Sequence, residues 1–231
     1  MENMFCLIGN SHVSQFDNPR LNILYGYGAS ICGLYNEYST LKLKDRILSY
    51  QALNPGKHLV FFLGQSDIEF IYYYRCIRNN TKTNINEFID DIVEKYVEFI
   101  TTYITNPIVL GINPTVIRSN EHIFNVNFRE TNNINNPAGS YHTKITYEDV
   151  KHFYDGYEQR FENNLLFNKK LNDECLKRCI PYIDLNKHVL DDNNHVRVEF
   201  LPDAINDHHL KANRKLCAYL FHELRHIMSA K

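Results

Sequence analysis

A serine and a pair of histidines, almost 200 positions apart, are residue types that carry out nucleophilic acyl chemistry. Ser11 follows the apolar run FCLIG at 5–9, and His208 and His209 stand just before a helical pattern near the end of the chain. Acyl chemistry needs a hydroxyl, a base, a group that orients the base, and donors for the oxyanion. A serine past a strand is also a common helix cap, so its position alone favours a capping role.

The elements that must position these residues alternate between apolar runs and amphipathic stretches. The apolar runs predict strands at 4–9, 22–28, 58–64, 107–113 and 180–185, and the amphipathic stretches predict helices at 41–53, 85–104, 147–179 (with a break near Gly156) and 209–230. This alternation predicts an α/β fold, a three-layer α/β/α sandwich around a five-stranded parallel sheet. Ligands of such sheets bind at the carboxyl ends of the strands, where Ser11 lies.

The length of 231 residues predicts a single domain over 1–231. The polar stretch at about 115–145 is long for a connection in a compact domain, which indicates a lid or a binding loop.

The composition excludes several classes of partner. The net charge is −2 and the basic residues are scattered, so we expect no nucleic acid. We expect no membrane either, because no stretch approaches the roughly 20 apolar residues of a span. The first residues do not resemble a signal peptide, so we expect a cytoplasmic protein. The oligomeric state stays open.

Four short blocks give the chain a resemblance to a known family. GNSH (9–12), Gly28, GQSD (64–67) and NDHHL (206–210) occur in the order of the four blocks of the SGNH (GDSL-type) hydrolases. The match is closest to the branch with GDSH in the first block and an F-G-E-I-D-like third block, with which VFFLGQSD aligns. The resemblance implies a flavodoxin-like sheet in the order 2-1-3-4-5. Asn10 replaces the family's aspartate.

The resemblance implies Ser11 as the nucleophile and His209 as the base, because the family histidine precedes a leucine in an Asp-x-x-His frame. Asn206 then occupies the position of the family's aspartate. An amide orients an imidazole but does not stabilise its protonated form as a carboxylate does. Other residues nearby remain alternatives for the orienting group or, in a shifted frame, for the base: Asp207, Asp203 and His208.

The resemblance also implies an oxyanion hole built from the N–H of Ser11, the N–H of Gly28 and the side chain of Ser66, which stands where the family has asparagine. Gly26 is the alternative to Gly28. Gln65 is the alternative to Ser66, whose hydroxyl is a shorter donor than an amide.

The resulting prediction is an SGNH-type esterase that uses a Ser–His acyl-enzyme and acts on a small-molecule or glycan ester such as an O-acetylated sugar. It requires no metal and no organic cofactor. Weaker candidates for substrate contact are Asp67, Tyr73, Arg118, His122 and Arg129. Two alternatives remain: a catalytically impaired binding or scaffold module of the same fold, and an O-acyltransferase that uses the same site.

A second motif, HELRH at 222–226, matches the H-E-x-x-H pattern of zinc proteases. Only five residues follow it, so a third ligand downstream is not expected. The same stretch reads as part of an amphipathic terminal helix.

Overall fold

Five short parallel strands form one sheet in the order β2-β1-β3-β4-β5. The computed structural model describes residues 4–16, 18, 21–128, 145–204 and 207–229. The strands are β1 (Phe5–Gly9), β2 (Asn22–Tyr25), β3 (His58–Phe62), β4 (Pro107–Leu110) and β5 (Tyr182–Ile183). All four strand pairs are parallel. This confirms the predicted sheet and its order.

Nine α-helices occur in the described ranges. They are α1 (Ile31–Leu34), α2 (Leu43–Leu53), α3 (Tyr72–Arg78), α4 (Ile85–Tyr103), α5 (Asn120–Phe128), α6 (Tyr147–Val150), α7 (Tyr157–Lys177), α8 (Asn186–Val189) and α9 (Arg214–Ser229). Short 3-10 turns lie at Ser11–Gln15, Lys151–Phe153 and Val198–Phe200, and a π turn lies at Asp67–Ile71. None of the described helices is long and apolar enough to cross a membrane.

Two apolar cores, one on each face of the sheet, make the three layers. In β1, Cys6 and Ile8 join the core that contains the buried residues of α1 to α5 and α7. Phe5 and Leu7, which alternate with them, join the core that contains α9 and the Val189 end of α8. Both faces of the strand are therefore covered, as a parallel sheet requires.

The predicted break near Gly156 is confirmed, because α6 ends at Val150 and α7 begins at Tyr157. Other boundaries differ from the sequence prediction. The last helix begins at Arg214 instead of residue 209, because the backbone of Lys211 donates to Phe200 O at 2.9 Å and stays outside the helix. Residues 120–128 of the predicted loop are helical. Residues 129–144 lie outside the described ranges, so the lid at 115–145 stays a prediction.

The order of the sheet places the loops after β1 and β3 side by side. β1 pairs with β2 on one side and with β3 on the other. From β1 the chain continues to β2 on one side, and from β3 it continues to β4 on the other side. The loops after β1 and β3 therefore diverge, which opens a ligand crevice at the carboxyl edge of the sheet.

Candidate active site

The loop after β1 holds Ser11 through tight packing of its glycine. A Cβ on Gly9 would lie 2.6 Å from Val13 Cγ1 and 2.7 Å from Phe62 O. Only glycine lets the chain turn there against β3. Asn10 Oδ1 accepts the N–H of His12 at 3.0 Å and caps the turn that begins at Ser11. Asn10 thus braces the turn with its amide, and Ser11 is left half-buried at the edge of the sheet.

The structure brings Ser11 and His209 into hydrogen-bond contact. Ser11 Oγ lies 2.8 Å from His209 Nε2. The opposite ring nitrogen, Nδ1, lies 2.7 Å from Asp207 Oδ1, which also accepts the backbone N–H of His209 at 2.9 Å. A hydroxyl, an imidazole and a carboxylate in this chain of contacts form the arrangement of a serine triad.

The carboxylate that contacts the His209 ring belongs to Asp207, one of the alternatives, and it stands two residues before the histidine instead of three. Burial opposes ionisation of Asp207, but hydrogen bonds from the His209 backbone and ring lower the pKa of its carboxyl. Asn206, the residue in the family frame, lies outside the described residues. Asp203 contacts Lys211 Nζ at 2.6 Å and not the imidazole.

The predicted oxyanion donors differ in the contacts that they already make. The Ser66 hydroxyl oxygen accepts from Asn10 Nδ2 at 3.0 Å, which leaves its hydrogen to donate elsewhere. Gly28 is exposed, with a φ of 69° and open space where a side chain would be. By contrast, the N–H of Gly26 donates to Gly9 O at 3.3 Å. Gln65 is buried, and its Oε1 accepts the N–H of Asn113 at 2.9 Å.

A network of buried amides lies beneath the loops after β1, β3 and β4. Gln15 and Asn113 exchange side-chain hydrogen bonds at 2.8 and 3.3 Å. Asn164 of α7 donates to Asn113 O at 3.0 Å and to Glu69 Oε1 at 3.1 Å. Burial raises the pKa of Glu69 to about 7, although its hydrogen bonds oppose the shift. Side-chain hydrogen bonds therefore tie the three loops together from below.

Four imidazole rings lie close together next to Ser11, and we call them the imidazole cluster: His12, His122, His208 and His209. The His12 ring centroid lies 4.6 Å from that of His209 and 5.4 Å from that of His208. His208 Nδ1 also lies 3.4 Å from His122 Nε2. His208 therefore faces His122, and its ring is tilted by 35° against the ring of His209, with ring centroids 4.0 Å apart.

His12 is the most unusual member of the imidazole cluster. It is 1% exposed, and within the described part of the chain neither of its ring nitrogens has a hydrogen-bond partner. A buried polar group without a partner costs about 1–3 kcal/mol. Burial lowers the pKa of His12 well below its usual range, and the rings of His209 and His208 lower it further. Burial and the neighbouring imidazoles likewise lower the pKa of His208 to about 4.

Sequence reasoning did not predict this gathering of imidazoles. The one signal was that His12 directly follows Ser11 in the GNSH block. The contact between His122 and His208 joins residues 86 positions apart, which no local pattern reveals.

Of the weaker substrate candidates, His122 belongs to the imidazole cluster, and the others make different contacts. Asp67 is buried, and its two oxygens accept the N–H groups of Ile31 and Cys32 at 2.8 and 3.0 Å, so it caps α1. Tyr73 is buried and donates to Asp155 at 3.1 Å. Arg118 is exposed and lies 3.8 Å from the centre of the Tyr157 ring. Arg129 lies outside the described residues.

The HELRH stretch lies on α9. His222 and His226 are exposed, with ring centroids 5.5 Å apart. Glu223 forms an ion pair with Lys187 at 2.8 Å and lies 3.5 Å from His188. The Glu223 carboxylate thus contacts two residues of α8, which supports the interpretation of this motif as part of an amphipathic helix that packs on its neighbour.

Comparison with known proteins gives similarity in structure only. No family model and no curated protein sequence matches the chain. Among solved structures it is similar to a carbohydrate acetylesterase family member from Sinorhizobium meliloti, with a TM-score of 0.53 at 11% identity over 97% of this chain and 99% of that one. An acetyl xylan esterase gives 0.52 at 12% identity over 94% and 98% of the two chains.

A GDSL-like lipase from Bacteroides thetaiotaomicron is also similar, with a TM-score of 0.51 at 8% identity over 98% of this chain and 87% of that one. Together with the sheet order, these similarities show that the chain has the SGNH hydrolase fold. The resemblance drawn from the sequence blocks is confirmed at the level of fold.

Proposed function

We propose that this protein is a serine ester hydrolase of the SGNH type. The observation that carries the proposal is the contact of 2.8 Å between Ser11 Oγ and His209 Nε2, with Asp207 Oδ1 at 2.7 Å from the opposite ring nitrogen. A serine hydroxyl is a weak nucleophile until a base takes its proton, and this geometry provides that base.

In the first half of the reaction, Ser11 Oγ attacks the carbonyl carbon of the ester while its proton passes to His209 Nε2. The carboxylate of Asp207 stabilises the imidazolium that forms. The N–H groups of Ser11 and Gly28 and the Ser66 hydroxyl bind the oxyanion. The bond to the leaving alcohol then breaks, and His209 returns the proton to that alcohol.

In the second half, His209 takes a proton from water, and the resulting hydroxide attacks the acyl-enzyme. Collapse of this second intermediate releases the carboxylic acid and restores Ser11 with the proton from His209. An alcohol in place of water would give an O-acyltransferase through the same steps.

We propose an O-acetylated sugar or glycan as the substrate class. Two of the structural neighbours are named as an acetyl xylan esterase and a carbohydrate acetylesterase family member. In this chain, Tyr25 and Tyr27 are 43% and 76% exposed at the end of β2, close in sequence to Gly28. Exposed apolar surface often marks a binding site, so these two rings are candidates for contact with the apolar face of a sugar.

The alternative of a binding or scaffold module rests on three departures from the family blocks, at Asn10, Ser66 and Asn206, the last of which replaces a carboxylate. The contact between Asp207 and His209 supports the enzyme instead, because it supplies the charge that an amide lacks.

A fluorophosphonate probe tests the proposal. We expect it to label the wild type at Ser11 and to leave Ser11→Ala unlabelled, with parallel loss of p-nitrophenyl acetate hydrolysis. Ser14→Ala is the matched control, because Ser14 is exposed on the same turn and we expect normal labelling. Equal labelling of wild type and Ser11→Ala, or no labelling of the wild type, would contradict the proposed function.

A further inference from the structure

Three members of the imidazole cluster present nitrogens at close range behind the serine. One ring nitrogen from each of His12, His208 and His209 lies within 4.8 Å of the others. We propose that these three residues bind a Zn²⁺ ion, and that the bound ion switches off the hydrolase by occupying His209.

His12 is the first reason for this proposal. It is buried to 99% and adjacent to His208 and His209, yet within the described residues its ring nitrogens make no hydrogen bond. An unpartnered imidazole held against two others is costly in a core but well suited to a metal, since imidazole nitrogen is a preferred ligand of Zn²⁺. Packing alone does not explain a histidine here, whereas a ligand does.

His209 is the second reason. Its Nδ1 contacts Asp207, so its other nitrogen, Nε2, is the one available for a metal ion. A ligating histidine whose far nitrogen donates to a carboxylate is the usual outer arrangement of zinc sites, because the carboxylate fixes the tautomer and makes the ligand more basic. Asp207 thus accepts a hydrogen bond from His209 Nδ1 both in the metal-free protein and in the proposed metal-bound form.

The geometry needs only a small adjustment. Nitrogens bound to a tetrahedral Zn²⁺ at about 2.0–2.1 Å lie about 3.3 Å apart, against separations of up to 4.8 Å here. His208 and His209 lie in an irregular segment before α9 and not in a helix, so we expect rotation of their side chains to close the gap without disrupting secondary structure. The fourth position falls to water or to Ser11 Oγ.

The consequence for activity rests on the proposed function. The Nε2 lone pair that would bind Zn²⁺ is the same lone pair that accepts the proton of Ser11. A metal-bound imidazole is no longer a base, so the bound ion and the activated serine exclude each other. Zn²⁺ is then a reversible inhibitor and not a cofactor.

The binding test uses Co²⁺ as a spectroscopic substitute for Zn²⁺ and does not depend on activity. We expect the full chain to bind one equivalent of Co²⁺ with the visible absorption of a four-coordinate site, and excess Zn²⁺ to displace it. His208→Gln should weaken Zn²⁺ affinity at least tenfold, and so should His12→Gln, with folding checked by circular dichroism.

The matched control is the double variant His222→Ala/His226→Ala, which removes the exposed pair on α9. We expect it to bind the metal as the wild type does. A wild type without the absorption band would overturn the proposal. So would binding that is lost in the α9 variant and kept in His208→Gln, because the ion would then lie on the helix surface.

The inhibition test measures fluorophosphonate labelling of Ser11 with and without one equivalent of Zn²⁺. We expect at least a tenfold loss of the labelling rate, reversed by a chelator and much smaller in His208→Gln. Labelling that is unchanged while the metal is bound would overturn the inhibitory role. A protein that binds Co²⁺ but is never labelled would support the metal site and refute the proposed function, so the two failures are distinguishable.

Discussion

The two halves of the candidate site are built in different ways. The serine half follows directly from the sheet: Asn10, His12 and Gln15 are buried, and the turn packs against the last residue of β3. The histidine half is an irregular segment in which Asp207 is exposed and His209 is half-buried. Its anchors are a buried Leu210 and backbone hydrogen bonds further on.

This difference separates stability from activity. The proposed nucleophile, Ser11, is held among buried residues, so we expect changes around it to disturb folding. The proposed base, His209, is held by its contact with the exposed Asp207, so we expect changes there to disturb chemistry and leave the fold intact. A backbone hydrogen bond joins the two halves, from the N–H of Asn213 to Gln15 O at 3.1 Å.

The comparison predicts the largest loss of activity for Asp207→Asn. Loss of the carboxylate removes the charge that stabilises the imidazolium and permits the wrong tautomer, and kcat should fall about 10⁴-fold, as for the same change in a serine protease. The melting temperature should change little because the side chain is exposed. The measurement is p-nitrophenyl acetate kinetics with parallel calorimetry.

Asp203→Asn is the control for that change, since its carboxylate contacts Lys211 and not the ring. We expect its rate to lie within twofold of the wild type. An active Asp207→Asn protein would show that a different group orients His209.

A smaller loss is expected from Ser66→Ala. Its hydroxyl, held by Asn10, is the proposed side-chain donor to the oxyanion, and loss of one such donor reduces kcat by about 10²–10³. KM should change little, because the donor acts mainly in the transition state. Ser66→Asn, which restores the residue of the family block, should retain more activity than Ser66→Ala. Equal activity of wild type and Ser66→Ala would remove Ser66 from the oxyanion hole.

The pH dependence of stability tests the network of buried amides beneath the serine half, because Glu69 is part of that network. Burial raises the pKa of Glu69 to about 7. Between about pH 4.5 and 7 the folded chain keeps a proton that the unfolded chain has released, so stability falls as pH rises. This group contributes a fall of about 3 kcal/mol in the free energy of unfolding.

Glu69→Gln should flatten this dependence, as measured by urea unfolding at pH 5 and pH 7.5, because a neutral amide does not titrate. Glu87→Gln, at an exposed position on α4, should leave the dependence unchanged. A slope that persists in Glu69→Gln would mean that other groups produce it.

The smallest effect is expected from Gly9→Ala, which should destabilise the protein by about 1–3 kcal/mol. A methyl group there overlaps Val13 Cγ1 and Phe62 O. The measurement is the free energy of unfolding in urea. Gly56→Ala is the control, because nothing lies within 4 Å of the place where its Cβ would stand, and the change should be nearly neutral. Equal stability of the two variants would show that β1 does not constrain the serine turn as described.

The sheet could be predicted from sequence because each strand is a short apolar run that must be covered on both faces. HLVFF at 58–62 is buried throughout, so its own residues are enough to predict a buried strand. β5 is only two residues long, and a run such as IPYIDL does not specify where its pairing with β4 ends.

The site could be predicted only in part. Ser11 and His209 follow from block order, but the choice between Asn206 and Asp207 depends on how the chain bends before α9, which spacing alone does not fix. Tyr73 shows the converse case. Its position after the third block indicates a place in the substrate cleft, but its side chain lies in the core because α3 turns it toward Tyr154. Burial of a side chain is a property of packing and not of local pattern.

The central claim is that His209 activates Ser11, and the rate constant for fluorophosphonate labelling of Ser11 in His209→Gln tests it most directly. Without the base, the hydroxyl keeps its proton and attacks slowly. The contact between the two side chains predicts at least a 10³-fold slower labelling rate, with wild-type labelling in His222→Ala. Labelling of His209→Gln at the wild-type rate would contradict the account.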